Sequence, residues 1–164
     1  MGTISPKLKY IFVCGAKRSG TTILTALLDN HPQLFVFPRE FQVFGQGALG
    51  KFSPNRLYKV SIFLKTVWWY IDDLQQKFSD ELVFNPGTLK KMLEDKGDEE
   101  MYRKDFFDLF CRCAIQAAGR NIDGVKYVVV KTMYNGIDFS DPSIFKEIKI
   151  DTTRPLKELI ASYR

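Results

Sequence analysis

The chain has 164 residues, 45% hydrophobic and 14% aromatic, with a formal net charge of +5. That length suits one domain with a substantial core, and the composition excludes a disordered or fibrous chain. The basic excess is too thin for a nucleic-acid surface, which needs a denser stripe of Lys and Arg.

In chain order, residues 10–14 form a continuous apolar run, as expected of a strand in a parallel sheet covered on both faces. A glycine-bearing turn follows, then an apolar helix over about 21–29. The helix is stopped at Asn30-His31-Pro32, since the residue before proline avoids the helical region. Residues 34–37 read as a second strand, left through Pro38-Arg39-Glu40, and Gly45, Gly47 and Gly50 mark a flexible connection. Leu57, Val60, Leu64, Val67, Ile71, Leu74 and Phe78 then recur at spacings of three and four, which predicts an amphipathic helix of about six turns. Trp68, Trp69 and Tyr70 widen its aromatic face and read as core packing rather than acceptor lining.

A short helix is expected near 88–94, with Gly97 as its C-cap, and a longer one over about 101–118, closed by Gly119. Phe106, Leu109, Phe110, Cys113, Ala114 and Ala117 share one face of the longer helix. Residues 125–130 form a second apolar run ending in Lys131-Thr132, and 148–152 a further strand. The latter leads through Arg154-Pro155 into a helix, for which proline suits the first position. Strands and helices alternate at both ends around a helical middle. The expected fold is therefore α/β, a three-layer parallel sheet with a P-loop-like strand-loop-helix and a helical insertion. It divides a single domain, 1–164, into units 1–40, 41–125 and 126–164.

The charge follows the same division. Residues 1–40 carry five Lys or Arg against two Asp or Glu, 41–125 carry twelve of each, and 126–164 carry seven against five. The whole excess lies in the two end units, as suits a small anionic ligand held between them. Residues 1–9 are too polar for a secretory leader. The longest apolar stretch, 60–71, contains Lys65 and falls short of a membrane span. Cys14, Cys111 and Cys113 form no disulfide or metal-ligand pattern, so the expectation is a cytoplasmic protein without a membrane partner or a metal site.

The segment "FVCGAKRSGTTILTALLDNHP", residues 12–32, carries the chemistry. A strand, a glycine turn and a helix N-terminus converge unpaired backbone N–H groups and the positive helix end on one place, which is an anion site. Ser19, Thr21 and Thr22 add hydroxyl donors. A nucleoside-triphosphate loop places lysine after the second glycine and a magnesium-holding Ser or Thr next. Here Thr21 stands at the lysine position, while Lys17 and Arg18 bring the charge inside the loop. Lys131 closes a predicted buried strand, at the edge where open α/β sheets bind ligands.

"AKRSGTTILTALLDNHP" resembles the 5′-phosphosulfate loop of sulfotransferases that use 3′-phosphoadenosine 5′-phosphosulfate (PAPS). The resemblance implies that Arg18, Ser19, Gly20, Thr21 and Thr22 hold the phosphosulfate, with Lys17 at a place where the family often has proline. "IKIDTTRPLKELIASYR", residues 148–164, is similar to the family's 3′-phosphate segment, with Arg154 and Ser162 at its spacing. Eight helical residues rise about 12 Å, so only a long arginine side chain laid back along the helix could share one phosphate with Ser162. Relatives of this kind usually continue past this segment, so the chain reads as truncated at its C-terminus.

The resemblance also bears on catalysis. "VVVKTMYN" is similar to the Lys-Thr-His segment of cytosolic sulfotransferases, with Lys131 as the second cation and Met133 at the histidine position. Methionine cannot accept a proton. The family's other arrangement uses a glutamate shortly after the His-Pro turn, which makes Glu40 the candidate base. His31 reads as a helix-ending residue. The expected activity is sulfuryl transfer from PAPS to a hydroxyl or amine of a small-molecule or glycan acceptor, with Glu40, Lys131 and Arg18 in the catalytic roles. Two alternatives stay open: a non-catalytic nucleotide- or anion-binding remnant, and a degenerate P-loop kinase or NTPase.

Overall fold

The computed structural model describes residues 7–15, 20–29, 31–37, 40, 49–78, 85–133 and 149–151. The elements in chain order are β1 (Lys9–Gly15), α1 (Thr21–Leu28), β2 (Leu34–Val36), β3 (Tyr58–Lys59), α2 (Val60–Phe78), α3 (Pro86–Glu94), β4 (Glu100–Met101), α4 (Arg103–Ala117), β5 (Tyr127–Met133) and β6 (Lys149–Asp151). Single 3₁₀ turns at Leu49–Lys51 and Ile122–Gly124 precede β3 and β5.

The apolar runs form one four-stranded sheet in the order β2-β5-β1-β6, parallel throughout. The period-two alternation of strands sorts their side chains onto two faces. Ile11, Val13, Leu34 and Val129 form one buried cluster, against which Leu24 and Leu28 of α1 pack. Phe12, Phe35, Phe37, Val128 and Val130 point the other way, into a larger core shared with α2, α3 and α4. Helices thus cover both faces, and the three-layer expectation holds for these elements. In the larger core, rings run from sheet to helices: Tyr10 lies 5.1 Å from Phe107, Phe37 6.0 Å from Phe110, and Phe106 4.7 Å from Phe63.

The helical middle departs from the sequence reading in four details. Leu57 continues the helical spacing, yet Tyr58 and Lys59 pair antiparallel with Met101 and Glu100. The helix therefore starts at Val60, where Glu99 and Gly97 carbonyls accept from the Val60 and Ser61 N–H groups, at 2.8 and 3.0 Å. Leu57 is left exposed. The same pairing draws Met101 out of α4, which begins at Arg103. Gly97 lies in the turn after α3 without a left-handed backbone; the C-cap there is Asp95, with helical φ and ψ. Of the three aromatics, Tyr70 is buried and Trp68 partly buried under the Lys90 ammonium, while Trp69 is exposed.

The other boundaries follow local chemistry. Asn85 caps α3 by accepting from the Thr88 N–H, with Pro86 next to it. Gly119, at φ +67°, closes α4 as read. Its N–H goes to the Gln116 carbonyl and that of Arg120 to Ile115, a Schellman pair. Tyr10 of β1 donates to Asp108 of α4, whose carboxylate also pairs with Arg112. The Arg120 guanidinium donates to the carbonyls of Pro32 and Leu34, tying the end of α4 to the start of β2.

Candidate active site

The strand order places the site. From β1 the chain passes over the position of β5 to reach β2, returns to β5, and then crosses to β6 on the far side of β1. The order thus reverses at β1, and ligands of open parallel sheets sit at such a reversal, beyond the C-terminal strand ends. Gly15 of β1 lies level with Met133 of β5, so both strands end together at this edge.

Gly20 opens α1. Its φ of +84° and ψ of 8° are left-handed, and a Cβ there would meet nothing within 4 Å. Glycine is needed for the backbone conformation, then, and not for lack of space. The first N–H groups of a helix have no partner within it. No side chain at Gly20 caps them, and the first turn of α1 carries no acid. The first turn itself therefore does not neutralise the positive end of the helix. Thr25, one turn on, is buried and donates from Oγ1 towards the carbonyls of Thr21 and Thr22 at 3.1 and 3.0 Å, which firms this first turn.

Lys131 reaches the same place from the sheet. Tyr127 and Val129 face α1, and the alternation of β5 puts Lys131 on that side too. It lies level with Val13, two residues before the paired strands end. Its Nζ donates to Thr22 Oγ1 at 2.8 Å. A lysine ammonium, the Thr22 hydroxyl and the start of a helix thus gather at the sheet edge. Donors of this kind suit an anion.

Glu40 follows β2, which runs towards this edge. Its Oε1 is buried and accepts no hydrogen bond among the described residues. A buried carboxylate oxygen without a partner costs about 1–3 kcal/mol or more, an arrangement typical of a group kept for another task. His31 stands at the opposite end of β2, exposed, with Nδ1 accepting from the Gln33 N–H at 3.2 Å, as suits a turn residue.

A family model described as the sulfotransferase family matches residues 10–135. The chain belongs to the sulfotransferase family. No curated protein and no solved structure matches it significantly. The match takes in Gly20, Thr21, Thr22, Glu40 and Lys131, and also the helical middle, where the motifs offered no resemblance. The general chemistry of a sulfotransferase is sulfuryl transfer. Arg154 and Ser162 lie beyond the matched residues.

The structure brings Gly20, Thr21, Thr22 and Lys131 of this sulfotransferase to one edge of the sheet. Lys17, Arg18, Ser19, Arg154 and Ser162 lie outside the described residues. The Lys131–Thr22 contact has no local sign in the sequence, because 109 positions separate the partners. Strand parity and the anion-site reading of α1 were its only available signals. Among the described residues no three His, Cys, Asp or Glu side chains gather as metal ligands, and no helix is long and apolar enough to cross a membrane.

Proposed function

We propose that the chain is a PAPS-dependent sulfotransferase acting on a hydroxyl or amine acceptor. The observation that carries the reading is the Lys131 ammonium on the Thr22 hydroxyl at the uncapped start of α1. It supports a site for a compact anion, and family membership supports the phosphosulfate as that anion. The donor set fits. Gly20, Thr21 and Thr22 offer backbone N–H and hydroxyl donors, and Lys131 offers a cation that no acid of the first turn offsets.

PAPS supplies the sulfuryl group and, as it leaves, a phosphate that takes up negative charge. Lys131 and the α1 N-terminus stabilise charge gathering at this edge, the larger part of catalysis in related transfers. Lys17, Arg18 and Ser19 complete the loop in this reading, and Arg154 with Ser162 holds the 3′-phosphate. Glu40 takes the acceptor's proton, and its partnerless Oε1 supports that role. Met133 stands where a histidine base would be, which leaves the proton to a carboxylate. The acceptor is a small molecule or glycan.

The test is transfer of labelled sulfate from PAPS to a panel of alcohols, phenols, amines and sugars. Label should appear on at least one acceptor class and vanish with Lys131→Ala. Tight binding of 3′-phosphoadenosine 5′-phosphate (PAP) without any transfer would replace the enzyme with a nucleotide-binding relative.

A further inference from the structure

Lys131 is tethered by an uncharged group. Its ammonium has three N–H donors on a flexible four-carbon stem, which left alone would sample many rotamers. One donor is fixed on Thr22 Oγ1 at 2.8 Å. Among the described residues no carboxylate pairs with Lys131. A carboxylate at position 22 would hold the lysine more strongly, but it would cancel the charge and repel an anion. A hydroxyl holds the ammonium and leaves its full positive charge in place.

The tether is itself fixed. A β-branched residue in a helix is stiff about χ1, so the Thr22 hydroxyl has few places to go. Thr25, buried beneath it, binds the first-turn carbonyls of Thr21 and Thr22. Because Thr22 Oγ1 accepts from Lys131, its own hydroxyl proton must point away from Nζ. A hydroxyl that accepts from a cation is also a stronger donor, since hydrogen bonds in chains polarise one another. Thr22 is exposed, and among the described residues nothing accepts its hydroxyl proton, which leaves it for a ligand at the helix start.

We infer that Thr22 is a positioning residue for Lys131: its hydroxyl accepts one ammonium N–H and donates its own O–H as a hydrogen bond to the bound anion, so that the two side chains act as one unit. The inference rests on the PAPS reading for the identity of the anion, and on the Lys131–Thr22 bond for everything else. Thr22 therefore matters less as one phosphate donor among several than as the group that sets where the cation stands.

The experiment uses the full chain as wild type, Thr22→Ser, Thr22→Val, Lys131→Met and the Thr22→Val/Lys131→Met double variant. The first readout needs no ligand: ¹⁵N-resolved NMR of the lysine side-chain ammonium groups, with the Lys131 signal assigned by its loss in Lys131→Met. That signal should shift in Thr22→Val and stay in place in Thr22→Ser. No shift in Thr22→Val overturns the tether. The second readout is calorimetric titration with PAP. Each single loss should weaken binding roughly 10-fold, as for a hydrogen bond involving a charged group. The double variant should be no more than about 2-fold worse than the weaker single one, the signature of coupled residues. Effects that multiply overturn the pairing while leaving the cofactor reading intact. Absence of PAP binding in the wild type sinks the cofactor reading instead, and the NMR result still decides the tether.

Discussion

The ammonium of Lys131 and the hydroxyl of Thr22 meet at 2.8 Å, joining the end of β5 to the first turn of α1. Around this bond the sheet edge has a positive helix end, a left-handed glycine and a lysine without a carboxylate partner among the described residues. From it follow expectations for the residues on either side.

Gly20 sits at φ +84° with open space around a would-be Cβ. Gly20→Ala therefore pays only for the backbone, about 1–2 kcal/mol for a left-handed residue. Thermal unfolding should show a loss of about 2–8 °C for a chain of this size. PAP affinity should fall in parallel, because a relaxed turn re-aims the N–H groups of α1.

Glu40 makes a separable prediction. Glu40→Gln keeps the shape and removes the proton acceptor, so kcat should fall about 10²–10⁴-fold with PAP affinity unchanged. Since Oε1 is buried without a donor, thermal stability should stay level or rise. Steady-state kinetics beside a melting curve checks both. A lower melting temperature with intact kcat would make Glu40 a structural residue.

The β1 anchor behaves differently. Burial, with Cys111 and Asp108 nearby, pushes the Tyr10 phenol far above its ordinary range, so it remains a donor to Asp108. Tyr10→Phe should cost about 1 kcal/mol. Asp108→Ala should cost about 2–3 kcal/mol, since it leaves the part-buried Tyr10 hydroxyl without its acceptor and also takes the carboxylate from Arg112. Urea denaturation of the two variants gives this order, and equal losses would contradict it.

Cys111 and Cys113 are both free and buried. Burial raises both thiols, Cys113 to about 11 and Cys111 well above the ordinary value of 9.0. Between about pH 9 and 11 the unfolded chain has shed protons that the folded chain retains, so stability falls as pH rises. The fall is about 1.4 kcal/mol per pH unit for each thiol inside its window. Urea midpoints at pH 8, 9, 10 and 10.5 should decline less steeply in Cys113→Ala than in the wild type. Equal slopes would contradict the assignment.

Much of the frame was legible because it rests on local pattern. The runs at 10–14 and 125–130 read as buried strands and form β1 and β5, and the apolar segment after Gly20 read as a helix and forms α1. The pair β3–β4 was not legible, since two residues on each side carry no period. It shifted the start of α2 and the start of α4 together. The family motif named Lys131, and strand parity set it on the side of Val129. Which face α1 would cover is a tertiary fact, and the bond to Thr22 depends on it. The buried, partnerless oxygen of Glu40 likewise belongs to packing around the strand end, which no spacing records.

On the proposed function, this edge of the sheet binds the PAPS nucleotide through Lys131 and the start of α1. Calorimetric titration of the chain with PAP, in wild type and Lys131→Ala, tests it most directly. Saturable one-site binding is expected without magnesium, weakened about 10-fold or more by the substitution, and none for Mg-ATP. An absence of PAP binding, or binding indifferent to Lys131→Ala, would contradict it.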